Sequence, residues 1–240
     1  MDSSNRRDLI ISGSGSSSGG SYRNVKINGE GKIYGDIDCF EFRTNGVSEV
    51  SGQVKAKLVQ VNGQWSMKGA VESEEIKVYG GAKLEGNVSY LDFKCRGSAR
   101  VQGDMNGDRI DLEGDLTVAG DCEAETFNAK GAFRIDGLLN AGVIDVSLYG
   151  ASSAQEIGGE VITVRKKGFR SLLTPFLPMF DAKLEAETIE GDEIYLENTT
   201  AKVVRGSRIT IGSGCEIDLV EYKESLNPFK GAKIHEHRQI

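Results

Sequence analysis

The stretch Val25-Lys26-Ile27-Asn28-Gly29-Glu30-Gly31-Lys32-Ile33-Tyr34-Gly35-Asp36-Ile37 contains the whole plan of the chain, because its order of apolar, polar and glycine positions returns every 17 residues. Gly29, Gly46, Gly63, Gly80, Gly97, Gly114 and Gly131 form one series, and Gly35, Gly52, Gly69, Gly86, Gly103, Gly120 and Gly137 a second. Apolar residues keep the same step. Ile33, Val50, Met67, Leu84, Val101, Val118 and Ile135 stand two positions before the second glycine series, and Ile37, Val54, Val71, Val88, Met105, Cys122 and Leu139 two after it. A short fixed period of this kind signals stacked repeats, in which each unit packs only on its neighbours.

Between the glycines, apolar residues alternate with Lys, Asp, Glu, Asn and Gln, the period of two that marks strands with one buried face. Each run is three to five residues long, so a repeat holds about three short strands joined at bends, and glycine suits bends because it reaches positive φ. Seventeen residues are too few for a helix pair. At ~3.3 Å per residue they enclose a perimeter of roughly 56 Å, and coils of that size stack ~4.8 Å apart by parallel pairing. The expected fold is all-β: a parallel β-helix with 17-residue coils, flanked by flexible tails.

The 240 residues divide, on this reading, into a disordered head and Ser/Gly tether over 1–21, a β-helix over 22–222, and a charged, poorly ordered tail over 223–240. Regular coils run over 22–146. Irregular coils follow over 147–222, where the motif returns five residues late as Ile157-Gly158-Gly159-Glu160-Val161 and continues at Ile194-Tyr195-Leu196 and Ile209-Thr210-Ile211. An insertion spans 165–185. Within it Arg165, Lys166, Lys167 and Arg170 cluster beside Phe169, Leu172, Phe176, Leu177 and Phe180, and two of the chain's three prolines fall there too. Three readings stand open for this segment: a plug or cover on the coil side, an interfacial membrane anchor, or a docking site for another protein.

A net charge of −7 argues against nucleic acid as the main partner. There is no run of 18 apolar residues and no signal-peptide core at the start, so the expected location is cytoplasmic. Cys39, Cys95, Cys122 and Cys215 lie far apart, without the paired spacing of a metal or redox site, and read as small core residues. His235 and His237 are the only histidines and fall near the C-terminus. No phosphate-binding loop and no nucleophile elbow occurs, so no catalytic, cofactor or metal residue is assigned.

The string KINGEGKIYGDIDC (26–39), followed by VSGQVKAKLVQVNG (50–63) and LEGNV (84–88), resembles the bactofilin family, as does the approach through a Gly/Ser segment. The resemblance covers roughly 22–146. It implies a right-handed parallel β-helix that polymerises without nucleotide into membrane-associated cytoskeletal scaffolds serving cell shape, the envelope or motility. It also implies a homopolymer, with a paralogue, the inner face of the cytoplasmic membrane, and envelope or motility proteins as further partners. The expected junction residues are Val25, Ile27, Ile33 and Ile37 in the first coil, and Ile209, Ile211, Ile217 and Leu219 in the last. The competing reading is a β-helix enzyme or carbohydrate-binding module acting as a discrete oligomer.

Overall fold

The computed structural model describes residues 6–166 and 182–240, and every regular element within them is a β-strand. The chain forms two compact units, Met1–Gly120 and Asp121–Ile240. The parallel β-helix expected from the period is present in each.

The first unit contains β1 (Leu9–Ile11), β2 (Ser14–Ser21), β3 (Asn24–Ile27), β4 (Glu30–Thr44), β5 (Val47–Val50), β6 (Val54–Val61), β7 (Gln64–Met67), β8 (Val71–Val78), β9 (Gly81–Leu84), β10 (Val88–Cys95), β11 (Ser98–Val101), β12 (Met105–Leu112) and β13 (Asp115–Val118). Long strands pair in parallel from β4 through β6, β8 and β10 to β12, which aligns Phe42, Val59, Ile76, Phe93 and Ile110. Short strands pair from β5 through β7, β9 and β11 to β13, aligning Val50, Met67, Leu84, Val101 and Val118. Both rows are fully buried. Burying each such side chain stabilises the fold by ~1.5–3 kcal/mol. In β6 the in–out alternation changes phase between Ala56 and Val59, and that change of phase divides one long strand into two sides of the coil.

The glycines serve this stack by a route other than positive φ. Of the lattice glycines between Gly29 and Gly120 only Gly35 has φ in the left-handed region, at 102°. The others are needed for space: a Cβ on Gly46, Gly63, Gly80, Gly97 or Gly114 would overlap the carbonyl oxygen of the glycine one coil earlier. Small residues also make room inside. Trp65 lies between Ser48 and Ala82 in its row and packs its ring 5.3 Å from that of Phe42.

The second unit contains β14 (Cys122–Ala129), β15 (Ala132–Leu148), β16 (Ser152–Lys166), β17 (Leu184–Leu196), β18 (Thr199–Ile211), β19 (Glu216–Pro228) and β20 (Lys233–Gln239). Each strand pairs in parallel with the next, and Ile144, Ile162, Ile194, Ile209 and Leu226 form one row. The step changes from coil to coil. Leu139 pairs Ile157, 18 residues on, with a register shift between Ile135 and Leu138, whereas Ile194 pairs Ile209 after 15. The break near residue 147 is therefore one extra residue in the coil, with the bulge absorbing it, and the motif is not five residues late.

Three expected boundaries are corrected. The Ser/Gly tether is a strand: β2 pairs β4 from Ser14↔Glu30 to Ser21↔Asp38, and β1 pairs β3. Its small residues fit because the coil corner there is tight, and a Cβ on Gly19 would collide with the backbone of Gly35 and Asp36. The C-terminal tail is also ordered, with β20 on β19. Its charges stay outside while Ile234 lies over Ile217, and Arg238 bonds the Glu221 carboxylate. The insertion is shorter than 165–185, since Arg165 and Lys166 end β16 and Leu184 and Glu185 begin β17.

Candidate self-assembly edges

The proposed junction residues do not lie at open ends. Val25, Ile27, Ile33 and Ile37 are buried beneath an additional coil, opposite Leu9, Ile11, Ser17 and Gly20. Ile209 and Ile211 lie opposite Leu226 and Pro228, and Ile217 and Leu219 opposite Ile234 and Glu236. Ile209, Ile211 and Ile217 are buried and Leu219 half-buried. The outermost coils were hidden by their composition, one all Ser and Gly, the other highly charged.

The N-terminal edge consists of β1 and β2, each paired on one side only among the described residues. Its charges are internally matched. Arg6 donates two hydrogen bonds to the Asp38 carboxylate (3.0 and 2.9 Å), and Arg23 donates two to Asp8 (2.9 and 2.7 Å). The Arg23 guanidinium holds the Asp8 carboxyl below the usual range. Ile10 is 61% exposed beside this edge.

The C-terminal edge consists of β20 and the last residues of β19, which β20 does not cover. Half-buried Leu226 and exposed Phe229 and Ile240 lie there with Lys233, His235, Glu236 and His237. Glu221, with a side chain only 5% exposed, sits between Arg238 and Arg205, and their hydrogen bonds hold its carboxyl below the usual range.

Of the basic and apolar candidates in the insertion, Lys167, Phe169, Arg170, Leu172, Phe176, Leu177 and Phe180 lie outside the described residues. Arg165 is 3.6 Å from Asp145 and lies over the Tyr195 ring at 5.7 Å, and the Lys166 N–H donates to Glu197 (2.8 Å). Both are thus tied to the coil. Among the described residues no helix is long and apolar enough to cross a membrane.

The sequence reading missed one surface feature. A groove of about 760 Å³ crosses the first unit, lined in part by Phe40, Ala56, Lys57, Ser73, Tyr90 and Leu91. Phe40 and Leu91 are 57% and 50% exposed, and the Lys57 ammonium lies 5.5 Å from the Phe40 ring centre. The signal available was an aromatic and a leucine, Phe40 and Leu91, on an outward row otherwise occupied by charge. The four cysteines are buried and free, and burial pushes the thiols of Cys39 and Cys122 up to about 12 and that of Cys95 to about 11.

Comparison with known proteins adds the following. The family model described as "Bactofilin: Polymer-forming cytoskeletal" matches residues 3–89. The uncharacterized protein YhbE of Bacillus subtilis (strain 168) is 61% identical over 215 residues, which is 89% of this chain and 90% of YhbE. The uncharacterized protein YhbF of the same organism is 41% identical over 105 residues, 43% of this chain and 42% of YhbF, so the matched part spans less than half of that relative. No solved structure matches.

Proposed function

Because the chain belongs to the bactofilin family of polymer-forming cytoskeletal proteins, we propose that it is a non-catalytic scaffold whose copies join end to end into filaments without nucleotide. The observation that carries this reading is the pair of strand edges, β1 with β2 and β20 with the end of β19, that have no partner among the described residues. Unpaired N–H and C=O groups in a row are a template for another chain. Joining at two different surfaces repeats without closing and gives a fibre.

The scaffold works in the cytoplasm and at the inner face of the cytoplasmic membrane, recruiting envelope or motility proteins, with a paralogue as a co-polymerising partner. Two matching proteins in one Bacillus strain support the last point. The Phe40–Leu91 groove is the surface we assign to clients. Lys55 with Glu72 (2.6 Å) and Lys57 with Glu74 (3.6 Å) neutralise its charge, which leaves apolar contact as the main attraction. Lipid contact is assigned to the basic and aromatic residues of 165–180.

Negative-stain electron microscopy of the purified full chain, without nucleotide or metal, tests the central claim. Long thin filaments are expected. A uniform discrete oligomer would favour the enzyme or carbohydrate-binding alternative instead. Co-sedimentation with anionic vesicles tests the membrane claim, which fails if replacing Phe176, Leu177 and Phe180 with Ser leaves lipid binding unchanged.

A further inference from the structure

The two free edges offer different things to a second chain. Glu30 donates its N–H to the Gly13 carbonyl at 2.8 Å, so Gly13 faces β4. Backbone groups in a strand point alternately to either side, so Ser14, Ser16 and Ser18 present their N–H and C=O groups to the free edge. That edge carries no charge and no proline from Ser14 to Ser21. At the C-terminal edge the Phe229 N–H donates to Ile211 (2.8 Å), so Pro228, one residue earlier, faces the free side with no N–H to give. Beside it β20 reads KIHEHRQ. Proline and charge are the devices that blunt an edge against strand addition, and here they stand at one end only.

We propose that the free edge of β2 pairs with the β2 edge of a second copy, antiparallel across a two-fold axis, and that this is the strand-pairing junction of the assembly. A two-fold contact sets each residue near its own kind. A charged strand would therefore repel itself, whereas Ser and Gly meet no such penalty and their small side chains leave room for backbones ~4.8 Å apart. The nearby charges are already engaged, Arg6 by Asp38 and Asp8 by Arg23. The C-terminal junction, lacking free strand pairing at Pro228, rests on side-chain contacts. This inference depends on the self-assembly reading and assigns its residues.

The test is Ser16→Pro in the full chain. Position 16 gives no hydrogen bond to β4, so proline there removes the outward donor while leaving the internal ladder intact, and Ser16→Thr is the control that keeps the N–H. Sedimentation velocity at matched concentration is expected to show large polymers for the wild type and for Ser16→Thr, but particles of no more than two chains for Ser16→Pro. In addition, single cysteines at 14, 16 and 18 should yield an oxidised dimer at the position nearest the axis, where cross-strand Cα atoms approach within ~5.5 Å. Wild-type dimers that become monomers on Ser16→Pro would uphold this junction and overturn the filament reading. Identical assembly of wild type and Ser16→Pro, or no cross-link at any of the three positions, would overturn the junction itself. A wild type that stays monomeric sinks both.

Discussion

The coils of the first unit and those of the second reach the same parallel register by different means. In the first, an unbroken 17-residue step stacks glycine on glycine so closely that a carbonyl occupies the space where a Cβ would stand. Asn28, Asn45 and Asn62 add an amide ladder outside, with Nδ2 to Oδ1 distances of 2.8 and 2.7 Å. In the second, the step varies between 15 and 18, and charge does more of the alignment. Glu190, Arg205, Glu221 and Arg238 run across successive coils, and Glu193, Arg208 and Glu224 form a second line. Steric stacking tolerates one repeat length; an ion-pair ladder tolerates several, because long side chains reach across small offsets. The difference explains why the strict lattice ends where it does.

The core should not share this contrast, and the largest expected effects lie there. Phe42→Ala in the first unit and Phe127→Ala in the second remove fully buried rings that contact Trp65 and Phe133 respectively. Each is expected to cost ~3–5 kcal/mol in urea unfolding. A large difference between them would place the contrast in the core and break the comparison as drawn.

The corners should separate the units. Gly63→Ala forces a methyl group into the Gly46 carbonyl and is expected to destabilise by ~3 kcal/mol. Gly150→Ala in the second unit meets only the Ala132 Cβ at 3.4 Å and should stay within ~0.5 kcal/mol. Equal losses in chemical denaturation would show that close stacking is not what fixes the first unit's step.

The charge ladder predicts a smaller, pH-dependent effect. Arg238 first and Arg205 second depress the Glu221 carboxyl, so its contribution is present above the unfolded-state value of ~4.3 and is lost as pH falls through the lower folded value. Glu221→Gln should therefore lower Tm at pH 7, with the gap from wild type closing below about pH 4. A gap that is constant from pH 7 to pH 3 in circular-dichroism melts would remove Glu221 from the ladder.

The smallest effect is on reactivity. With Cys39 and Cys122 pushed up to about 12 by burial, the folded chain should label negligibly with a thiol reagent at neutral pH and fully in urea. Fast labelling of one cysteine in the folded state would reveal a coil that opens locally.

The regular coils were legible because side-chain period and backbone period coincide: Val54, Val71 and Val88 are aligned in the sequence and in space. The outermost coils carried the same signal in fainter form. Gly13 and Gly19 precede Gly29 and Gly35 by 16 residues, and Leu9 and Ile11 precede Val25 and Ile27 by 16, but an all-Ser/Gly composition reads as a linker. Ile234 follows Ile217 by 17, yet KIHEHRQ reads as solvated tail. The junction residues were misplaced for that reason, each set lying one coil inside the edge. What no side-chain pattern could give is the direction of a backbone donor. Whether Ser16 or Pro228 faces outward follows only from the hydrogen bonds of Gly13 and Phe229.

The glycine stacking has a consequence for how such a chain can change over generations. Gly46, Gly63, Gly80, Gly97 and Gly114 each meet the same carbonyl one coil earlier, so each coil presents the same fitting above and below. Loss or duplication of one whole coil joins like to like and leaves every neighbour its old contact. A gain of a single residue inverts each side chain of the strand it enters. Inherited length in this part of the protein is thus counted in coils, and the gene can lengthen or shorten the body by whole turns without having to reinvent its interior.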